Sequence, residues 1–276
     1  MDPAGKTFLV TGSTDGVGRV VALRLGTAGA NVVVHGRDRQ RGDDVVEEIR
    51  QGGGAAVLHT ADLSSLDAVR SLANAVRADH GRLDVLVNNA GIGSASDGRQ
   101  RRVSADGYEL RFAVNYLAGF LLTRLLLPLL RASTPARIVN VASLGQHPID
   151  FDDVMLARGY DGSRAYAQSK LAQIMFTFDL ARELEGTGVT VNCLHPATYM
   201  DTTMVRAGGI TPVSTVAEGA DAILNLAISD DLERRTGLFF DRRRVSRANA
   251  QAYDETARKR LSELSFRLTG LPAAST

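Results

Sequence analysis

The chain has 276 residues, of which 44% are hydrophobic and 23% are charged, a composition typical of a folded domain rather than of a disordered chain. Its 32 lysine and arginine residues balance its 31 aspartate and glutamate residues, so no excess of charge indicates a nucleic acid or an anionic membrane as a partner. The one cysteine excludes an intramolecular disulfide and argues against a cysteine-built zinc site, so we expect a reducing compartment and no metal.

The N-terminal residues contain no run of seven or more apolar residues after a basic start, so the sequence predicts no signal peptide and a cytoplasmic location. The longest apolar stretch, residues 117–130, is interrupted by Gly119, Thr123, Arg124 and Pro128. It is also shorter than the roughly 20 apolar residues that a bilayer span needs. We predict a buried helix here and no association with a membrane.

Short valine-rich runs alternate with helical patterns along the whole chain. Continuous apolar strands are typical of a sheet covered on both faces, and the alternation favours right-handed parallel crossovers. The sequence therefore predicts an α/β protein with a doubly wound, seven-stranded parallel sheet. The predicted strands are residues 7–10, 31–34, 55–58, 83–87, 137–141, 189–194 and 237–240. The predicted helices are residues 17–28, 41–51, 66–79, 106–131, 164–185, 215–227 and 248–268.

A glycine-rich loop, TGSTDGVG at residues 11–18, joins the first predicted strand to the first predicted helix. Its three glycines suit a tight turn, a close approach of the backbone and close helix packing, and the helix start offers free N–H groups to a pyrophosphate. The pattern predicts a dinucleotide site, with a glycine-rich turn that binds no ligand as the alternative. The predicted contacts along this loop are Gly12, Ser13, Thr14, Asp15, Gly16, Val17 and Gly18.

Arg37 follows the second predicted strand, about 20 residues past the glycine loop. An acidic residue at this distance would bind the ribose 2′-OH of NAD, whereas an arginine suits the 2′-phosphate of NADP. A guanidinium binds phosphate with two hydrogen bonds and can stack on adenine, so the sequence favours NADP(H), with NAD(H) possible. Two alternatives stay open: Arg37 is a solvated residue before a helix, or a shift of one residue places Asp38 at the ribose.

Four ordered motifs resemble the short-chain dehydrogenase/reductase family: the glycine loop, NNAG at residues 88–91, Ser143 after the fifth predicted strand, and YAQSK at residues 166–170. The segments RIVNVAS, IDFDD, AYAQSKLA, ELEGTGVTVN and LHP are similar to its retinol-dehydrogenase-like branch, in a soluble, bacterial form. The resemblance covers nearly the whole chain. It implies one NAD(P)-binding Rossmann domain over residues 1–276 with strand order 3-2-1-4-5-6-7, usually assembled as a homodimer or homotetramer through its long helices.

The resemblance also implies a catalytic set of Ser143, Tyr166, Lys170 and Asn115. Tyr166 would be the general acid that protonates a carbonyl oxygen, or the base in reverse, and Lys170 would sustain it and bind the nicotinamide ribose. Ser143 would orient the substrate oxygen, and Asn115 would complete a water-linked proton relay. Independently, a tyrosine with a pKa of about 10 needs a positive neighbour at neutral pH, and Lys170 lies four residues on, on the same helical face. Each residue alone has an ordinary structural alternative, so the prediction rests on their conjunction.

Further cofactor contacts follow from position in the family pattern: Asp62 and Leu63 at the adenine, Asn89, Ala90 and Gly91 along its ribose, and Pro196 and Thr198 near the nicotinamide. Asp62 could instead serve as a helix cap, and Asn89 is expected to be partly structural. The family usually has Pro-Gly where this chain has Pro-Ala at residues 196–197, and Thr202 falls one place late, so a contact from Thr202 is not expected.

Three loops are expected to shape the substrate site, at residues 92–104, 144–163 and 197–210. Their large side chains favour an apolar carbonyl compound or alcohol, although such residues more often serve in packing: His147, Phe151, Met155, Tyr199, Met200 and Met204. We expect His195 and Cys193 to be buried and not catalytic. The arginines at positions 99, 101, 102 and 242–244 are most simply solvated surface, with anchoring of an acidic or phosphorylated carrier as the alternative.

The sequence thus predicts an NADP(H)-dependent oxidoreductase that interconverts a small carbonyl compound and an alcohol. Two alternatives stay open. The same residues could reduce an activated C=C bond or catalyse an epimerisation, or the chain could be a catalytically silent NADP(H)-sensing protein.

Overall fold

The computed structural model describes residues 1–94 and 100–272, and the strands in that part of the chain form one sheet. The strands are β1 (Thr7–Val10), β2 (Asn31–Gly36), β3 (Ala55–Thr60), β4 (Val85–Asn88), β5 (Ala136–Val141), β6 (Val189–His195), β7 (Phe239–Asp241) and β8 (Arg244–Ser246). Their spatial order is β3-β2-β1-β4-β5-β6-β7-β8, with β1 to β7 parallel. The predicted order is confirmed.

The predicted count of seven strands is wrong, because β8 returns antiparallel to β7. Two arginines, Arg242 and Arg243, form the hairpin turn, and Arg242 has a φ of +56°. Two-residue hairpin turns usually carry asparagine or glycine at such positions, so the sequence lacks the usual turn signal. A three-residue strand beside an arginine run also has too little apolar alternation to be recognised.

Eight α-helices in the described residues flank the sheet: α1 (Gly16–Thr27), α2 (Arg39–Gln51), α3 (Leu66–Asp79), α4 (Ala118–Ala132), α5 (Gly162–Glu183), α6 (Thr203–Ala207), α7 (Val216–Ile228) and α8 (Glu255–Thr269). Alternate strand residues face opposite sides, so Val10 and Val34 join a core with α1, α2 and α7. Leu9 and Val33 join a second core with α3, α4, α5 and α8. The predicted coverage of both faces is confirmed.

The predicted helix over residues 106–131 consists of a π-helical turn, Phe112–Leu117, continued by α4. Among the described residues, Phe112–Ala132 is the one helical stretch that is long and apolar enough to cross a membrane by composition. Of its most apolar window, 67% is buried inside the domain, as predicted for a core helix. π-Helical turns often occur at functional sites, and this one contains Asn115.

The C-terminal helix α8 packs across α4 and α5 on the outside of the domain. Arg258 Nε donates to Asp179 Oδ1 at 2.7 Å, and the rings of Phe120 and Phe266 lie 5.3 Å apart. With this cover in place, ten consecutive residues of α5, 168–177, are buried. Helix α8 therefore packs against part of the two helices that the resemblance placed at a partner subunit.

The carboxyl ends of the central strands meet at one edge of the sheet. Val10 is in register with Val87, and Val141 is in register with Leu194. The loops that leave these ends contain nearly all the predicted site residues. Open α/β sheets bind their ligands in the crevice at this edge.

Candidate active site

Tyr166 and Ser143 meet at the carboxyl edge of the sheet. Asp161 caps α5 by accepting a hydrogen bond from Arg164 N at 2.7 Å, which places Tyr166 near the start of the helix. Ser143 lies two residues past β5, and its Oγ and Tyr166 Cε1 lie 3.5 Å and 3.7 Å from the position that a Cβ on Gly145 would take. Ser143 Oγ accepts from Gly145 N at 3.0 Å, which fixes the hydroxyl oxygen and leaves its proton to donate.

Lys170 lies one helical turn further along α5, with its side chain buried. Its Nζ donates to Val141 O and to Gln173 Oε1, both at 2.9 Å, and lies 5.7 Å from the centroid of the Tyr166 ring. Burial lowers the pKa of Lys170 to about 7, because the ammonium loses its hydration. The spacing of four residues therefore brings the two side chains to one place, as predicted.

The pKa of Tyr166 in the chain by itself is governed by burial. Burial is the largest influence and raises the pKa of Tyr166, while the hydrogen bond from Ser143 lowers it and the nearby Tyr199 raises it. Desolvation penalises the charged form of each group, so it favours a neutral phenol beside a weakly basic amine. Tyr166 is therefore protonated at neutral pH.

Asn115 lies in the π-helical turn and is buried between the loop after β4 and helix α5. Its Oδ1 accepts from Ile92 N at 2.8 Å, and its Nδ2 donates to Ser169 Oγ at 3.0 Å and to Ile92 O at 3.2 Å. A Cβ added to Gly91 would lie 3.1 Å from Asn115 Oδ1 and 3.6 Å from Lys170 Nζ. Asn115, Gly91 and Lys170 are thus brought together, and the Asn115 amide holds the loop in place.

The glycine loop packs too closely for side chains at two of its glycines. A Cβ on Gly12, whose φ is +66°, would lie 2.9 Å from Ala90 Cα. A Cβ on Gly18 would overlap the carbonyl oxygen of Gly12. Asp15 caps α1 by accepting from Gly16 N at 2.7 Å, so the helix starts at the open edge, where its N–H groups suit an anion.

Thr11 supports this loop and was not singled out from the sequence. Its Oγ1 accepts from Asn89 N at 2.9 Å and from Ala90 N at 3.0 Å. The Asn89 amide donates to Thr11 O at 2.8 Å and to Gly12 O at 3.2 Å. The Asn89 side chain is therefore structural. The sequence signal for these hydrogen bonds was the threonine that begins the glycine loop together with the asparagines of NNAG.

Ser13 and Val17, two predicted cofactor contacts, point into the protein. Ser13 N donates to His35 O, and Ser13 Oγ accepts from His35 N, each at 2.9 Å. Burial lowers the pKa of His35 to about 4, so its neutral ring accepts from Gly12 N at 3.1 Å. Val17 is buried in the core around α1. Both side chains hold the loop, and Thr14 and Asp15 remain at its surface.

The start of α2 shows which roles Arg37 and Asp38 have in the fold. Asp38 caps this helix, accepting from Arg41 N at 3.2 Å, and its carboxylate lies 3.6 Å from Arg41 Nε. Arg37 is exposed at the end of β2, and no hydrogen bond or ion pair engages its guanidinium within residues 1–94 and 100–272. Arg41, which lies 4.0 Å from Asp15, is a second guanidinium here that the sequence reasoning missed.

Asp62 and Leu63 follow β3, where adenine was expected. The cap of α3 is Ser65, whose Oγ accepts from Ala68 N at 3.3 Å, so the capping alternative for Asp62 is wrong. Asp62 is exposed and accepts from Ser64 N at 2.9 Å, in the turn before the cap. Leu63 is buried in the core, so only its backbone can face a ligand.

Pro196 and Thr198 follow β6 beside His195. His195 is buried, and its Nε2 lies 3.0 Å from Thr198 Oγ1, which confirms the expectation of a buried, hydrogen-bonded residue. Cys193 is fully buried, and burial raises the pKa of its thiol to about 12, so it is inert as predicted.

Tyr199 and Thr202 differ from expectation in the same loop. Tyr199 has a φ of +43°, a strained conformation for a large residue, and 50% of it is exposed. Thr202, which was discounted, caps α6 and reaches the glycine loop: its Cγ2 lies 3.3 Å from the Cβ position of Gly16. Thr202 therefore lies beside the glycine loop.

Of the six side chains expected at the substrate site, three are partly buried and pack against other parts of the protein. Phe151 lies beneath Arg260, whose guanidinium carbon is 4.6 Å from its ring centroid, and Met155 and Met200 pack against the two cores. The exposed ones are His147, Tyr199 and Met204. Leu144, which follows Ser143 directly, is also 45% exposed. Residues 95–99 of the first predicted loop, including Arg99, lie outside the described residues.

A buried network that the sequence did not reveal joins two of the predicted loops. Arg111 Nε donates to Gly93 O at 3.0 Å, and its Nη1 donates to Tyr160 Oη at 2.5 Å. Tyr160 donates in turn to Glu109 Oε1 at 3.1 Å, and Arg111 lies 3.6 Å from the same oxygen. Glu109 and Arg111 are both essentially unexposed. Charges two residues apart in a surface-like stretch gave no signal of this burial.

A model of the short chain dehydrogenase family matches residues 6–209. The chain belongs to this family. Human retinol dehydrogenase 11 is 37% identical over 281 residues, covering 97% of this chain and 87% of that protein, which confirms the retinol-dehydrogenase-like resemblance. The chain is therefore an oxidoreductase.

Two solved structures extend the comparison for this short chain dehydrogenase. A crystal structure of a protein from Mycobacterium paratuberculosis superposes with a TM-score of 0.80 at 28% identity, covering 99% of this chain and 96% of that one. The Pseudomonas aeruginosa RhlG/NADP active-site complex has a TM-score of 0.70 at 30% identity, covering 87% and 97%. The family match ends at residue 209, so the last strands and α8 lie beyond it.

Proposed function

We propose that this chain is an NADP(H)-dependent oxidoreductase that interconverts an apolar carbonyl compound and its alcohol, with Tyr166 as the general acid and base. The observation that carries the proposal is the meeting of Tyr166, Ser143 and Lys170 at the edge of the sheet where the glycine loop also lies. The human relative named for retinol and the RhlG complex with NADP support the reaction class and the cofactor.

The residues at this edge fit a dinucleotide with a 2′-phosphate. Because Gly12 and Gly18 carry no side chain, only backbone atoms of the glycine loop lie beside the crevice at these positions. The start of α1 suits the pyrophosphate. Arg37 is exposed without an acidic partner in the described residues, so its guanidinium can take the phosphate, while Arg41, four residues on, is paired with Asp38. Thr14, Asp15, Asp62, Ala90, Gly91, Pro196 and Thr198 would line the rest of the cofactor site.

In carbonyl reduction, bound NADPH supplies the hydride that reaches the carbonyl carbon. Tyr166 donates its phenolic proton to the carbonyl oxygen as charge develops there, and the Ser143 hydroxyl donates a hydrogen bond to the same oxygen. Because burial raises the pKa of Tyr166, the proton is in place at neutral pH. Lys170 would bind the ribose and pass a proton to Tyr166, while Asn115 holds the adjoining loop.

The side chains around the opening support an apolar substrate. Leu144, Tyr199, Met204 and Val213 are each at least 43% exposed, although they are large and apolar. Apolar surface left open near a polar reaction centre is typical of a site that binds an apolar molecule and orients it with few polar groups. The loops at residues 144–163 and 197–210 would supply this surface.

Assembly as a homodimer or homotetramer stays a prediction. Helix α8 packs against both helices expected at its two-fold axis, through Phe266 on Phe120 and Arg258 on Asp179, so it would lie beside such an interface. Size-exclusion chromatography with light scattering tests this directly, and a monomer would remove the prediction.

The proposal is tested by consumption of NADPH and NADH with apolar aldehydes and ketones, including retinaldehyde. We expect turnover with NADPH, a loss on the order of 100-fold or more in Tyr166→Phe, and unchanged NADPH binding by that variant. Tyr108→Phe is the matched control, because its hydroxyl donates to Leu268 O, away from Ser143. Full activity in Tyr166→Phe would contradict the proposal. A product with its carbonyl intact and a C=C bond reduced would replace it by the alternative chemistry.

A further inference from the structure

Residues beyond the family match return to the active site through two glutamines. Gln146 lies three residues after Ser143, and its Nε2 donates to Ser143 O at 2.9 Å while its Oε1 accepts from Asn249 N at 2.6 Å. Gln251 binds the backbone of Ile149 in both directions: its Oε1 accepts from Ile149 N at 2.6 Å, and its Nε2 donates to Ile149 O at 3.1 Å. Residues 143–149 are therefore held at both ends by side-chain amides.

The segment between these two ends has little other support. It is neither helix nor strand, and the backbone hydrogen bond that ties its middle to α5 runs from His147 N to Ala167 O at a long 3.3 Å. Gly145 N is engaged by the Ser143 hydroxyl itself. A loop held by few bonds positions a functional group only as well as its supporting contacts do.

The turn that contains Gln251 is itself firmly attached to α5. Ala252 is fully buried, and its carbonyl accepts from Arg258 Nη1 at 2.9 Å. Arg258 Nε donates to Asp179 Oδ1 at 2.7 Å, and the ring of Tyr253 lies 5.4 Å from that of Phe178. Because α5 also carries Tyr166 and Lys170, the turn and those two residues share one rigid support.

We propose that Gln146 and Gln251 are positioning residues. They hold the loop after β5 against the turn that contains Gln251, and so keep the Ser143 hydroxyl beside the Tyr166 side chain. The inference rests on the proposed function, since that function assigns Ser143 and Tyr166 to the reaction. A misplacement of about 1 Å can reduce a rate by on the order of 100-fold, so contacts outside the reaction centre can control it.

The test compares Gln251→Leu and Gln146→Leu with the wild type. Each substitution removes both amide hydrogen bonds and nearly preserves side-chain size. The matched control is Gln51→Leu, because Gln51 is exposed at the end of α2 and its side chain bonds only Glu47 within the described residues. We expect kcat for carbonyl reduction to fall on the order of 10-fold in both test variants, with NADPH affinity within about two-fold and no change in the control.

The pH profile separates positioning from general loss of stability. The bond from Ser143 lowers the pKa of Tyr166, while Lys170 and Tyr199, which also lie near it, are unchanged in these variants. Reduction needs a protonated Tyr166, so its rate falls as the pH rises through that pKa. Loosening Ser143 should therefore move this alkaline limb of kcat to higher pH, whereas a variant that is merely less stable keeps the wild-type limb.

Amide hydrogen exchange over residues 143–149 keeps this inference separate from the proposed reaction. We expect faster exchange in both variants and unchanged exchange in α2. If the wild type reduces no carbonyl compound, the proposed function fails. Unchanged exchange over residues 143–149 in both glutamine variants would then also overturn the inference that the two glutamines hold this loop. The inference is overturned directly if the folded variants have the same kcat, the same alkaline limb of kcat and the same amide exchange as the wild type. If Gln251→Leu does not fold, Gln251→Glu, which keeps the acceptor for Ile149 N, takes its place in the same measurements.

Discussion

Lys170 Nζ donates a hydrogen bond to Val141 O at 2.9 Å and lies 5.7 Å from the centroid of the Tyr166 ring. The lysine thus joins α5 to the end of β5 and stands beside the phenol at the same time. Burial shifts both groups toward their neutral forms, which leaves a proton on Tyr166 and makes Lys170 easy to titrate near neutral pH.

The buried lysine makes stability depend on pH in a defined direction. Burial lowers the pKa of Lys170 to about 7, whereas an unfolded lysine has a pKa of about 10.4. Between these values the unfolded state binds more protons, so this residue makes the wild type more stable as the pH rises. We expect the change in unfolding free energy caused by Lys170→Met to be more favourable at about pH 6 than at about pH 9.5, by on the order of 3 kcal/mol.

Urea denaturation at the two pH values measures this difference. Lys259→Met is the control, because the same substitution there removes an exposed lysine of α8 rather than a buried one. An equal effect of Lys170→Met at both pH values would contradict the buried, neutralised lysine.

Arg37 should decide the choice between the two cofactors. We expect Arg37→Asp to weaken NADPH binding on the order of 100-fold, because it removes a charge-assisted contact and adds repulsion, and to change NADH binding little. Fluorescence titration with each cofactor measures both constants. Arg77→Asp, with the same change in charge at the far end of α3, serves as the control. Equal losses for NADPH and NADH would place the 2′-phosphate elsewhere.

Gly18 should tolerate no side chain. A Cβ there would overlap the Gly12 carbonyl and lie 2.5 Å from Asn89 Nδ2, so Gly18→Ala must displace the glycine loop. We expect a loss of about 1–3 kcal/mol of stability together with weaker cofactor binding. Gly81→Ala is the matched control, since a Cβ at Gly81 meets no atom within 4 Å. Calorimetry measures the stability and titration the NADPH affinity of both variants. Equal values for Gly18→Ala and Gly81→Ala would contradict the close packing at Gly18.

The buried pair of Glu109 and Arg111 should be costly to break on one side only. Arg111→Met leaves the Glu109 carboxylate buried beside Tyr160 without its guanidinium, and we expect a loss of about 3–5 kcal/mol. Adding Glu109→Gln should recover part of it, because the uncompensated charge is removed. Chemical denaturation of the two single variants and the double variant measures the coupling, and simple additivity would argue against a coupled pair.

Tyr199 should show opposite effects on stability and on substrate binding. Its φ of +43° costs on the order of 1 kcal/mol in a large residue, which glycine would not incur. We expect Tyr199→Gly to keep or slightly raise the melting temperature and to raise KM for apolar substrates by several-fold, because an exposed aromatic wall is lost. A fall in stability without a change in KM would assign Tyr199 to the fold instead.

The sequence alone determined those features that depend on neighbours along the chain. The parallel direction of seven strands followed from the alternation of apolar runs with helical patterns, whereas their order in the sheet was implied by the family resemblance. The spacing of Tyr166 and Lys170 by one helical turn, and the glycines before α1, followed from local geometry. The sequence also showed a positive charge, Arg37, after the second strand. It did not show whether Arg37 or Asp38 faces the ribose, because the role of Asp38 as a cap depends on where α2 begins.

Only the tertiary structure decided the features that join distant parts of the chain. Gln251 meets Ile149 across 102 residues, and Tyr160 meets Glu109 across 51, through contacts that no periodicity marks. The raised pKa of Tyr166 is of the same kind, because desolvation depends on the protein around a group rather than on the lysine one turn along its helix. Patterns in a sequence report which face of an element is apolar, whereas burial, pairing and protonation are set by what the folded chain places against that face.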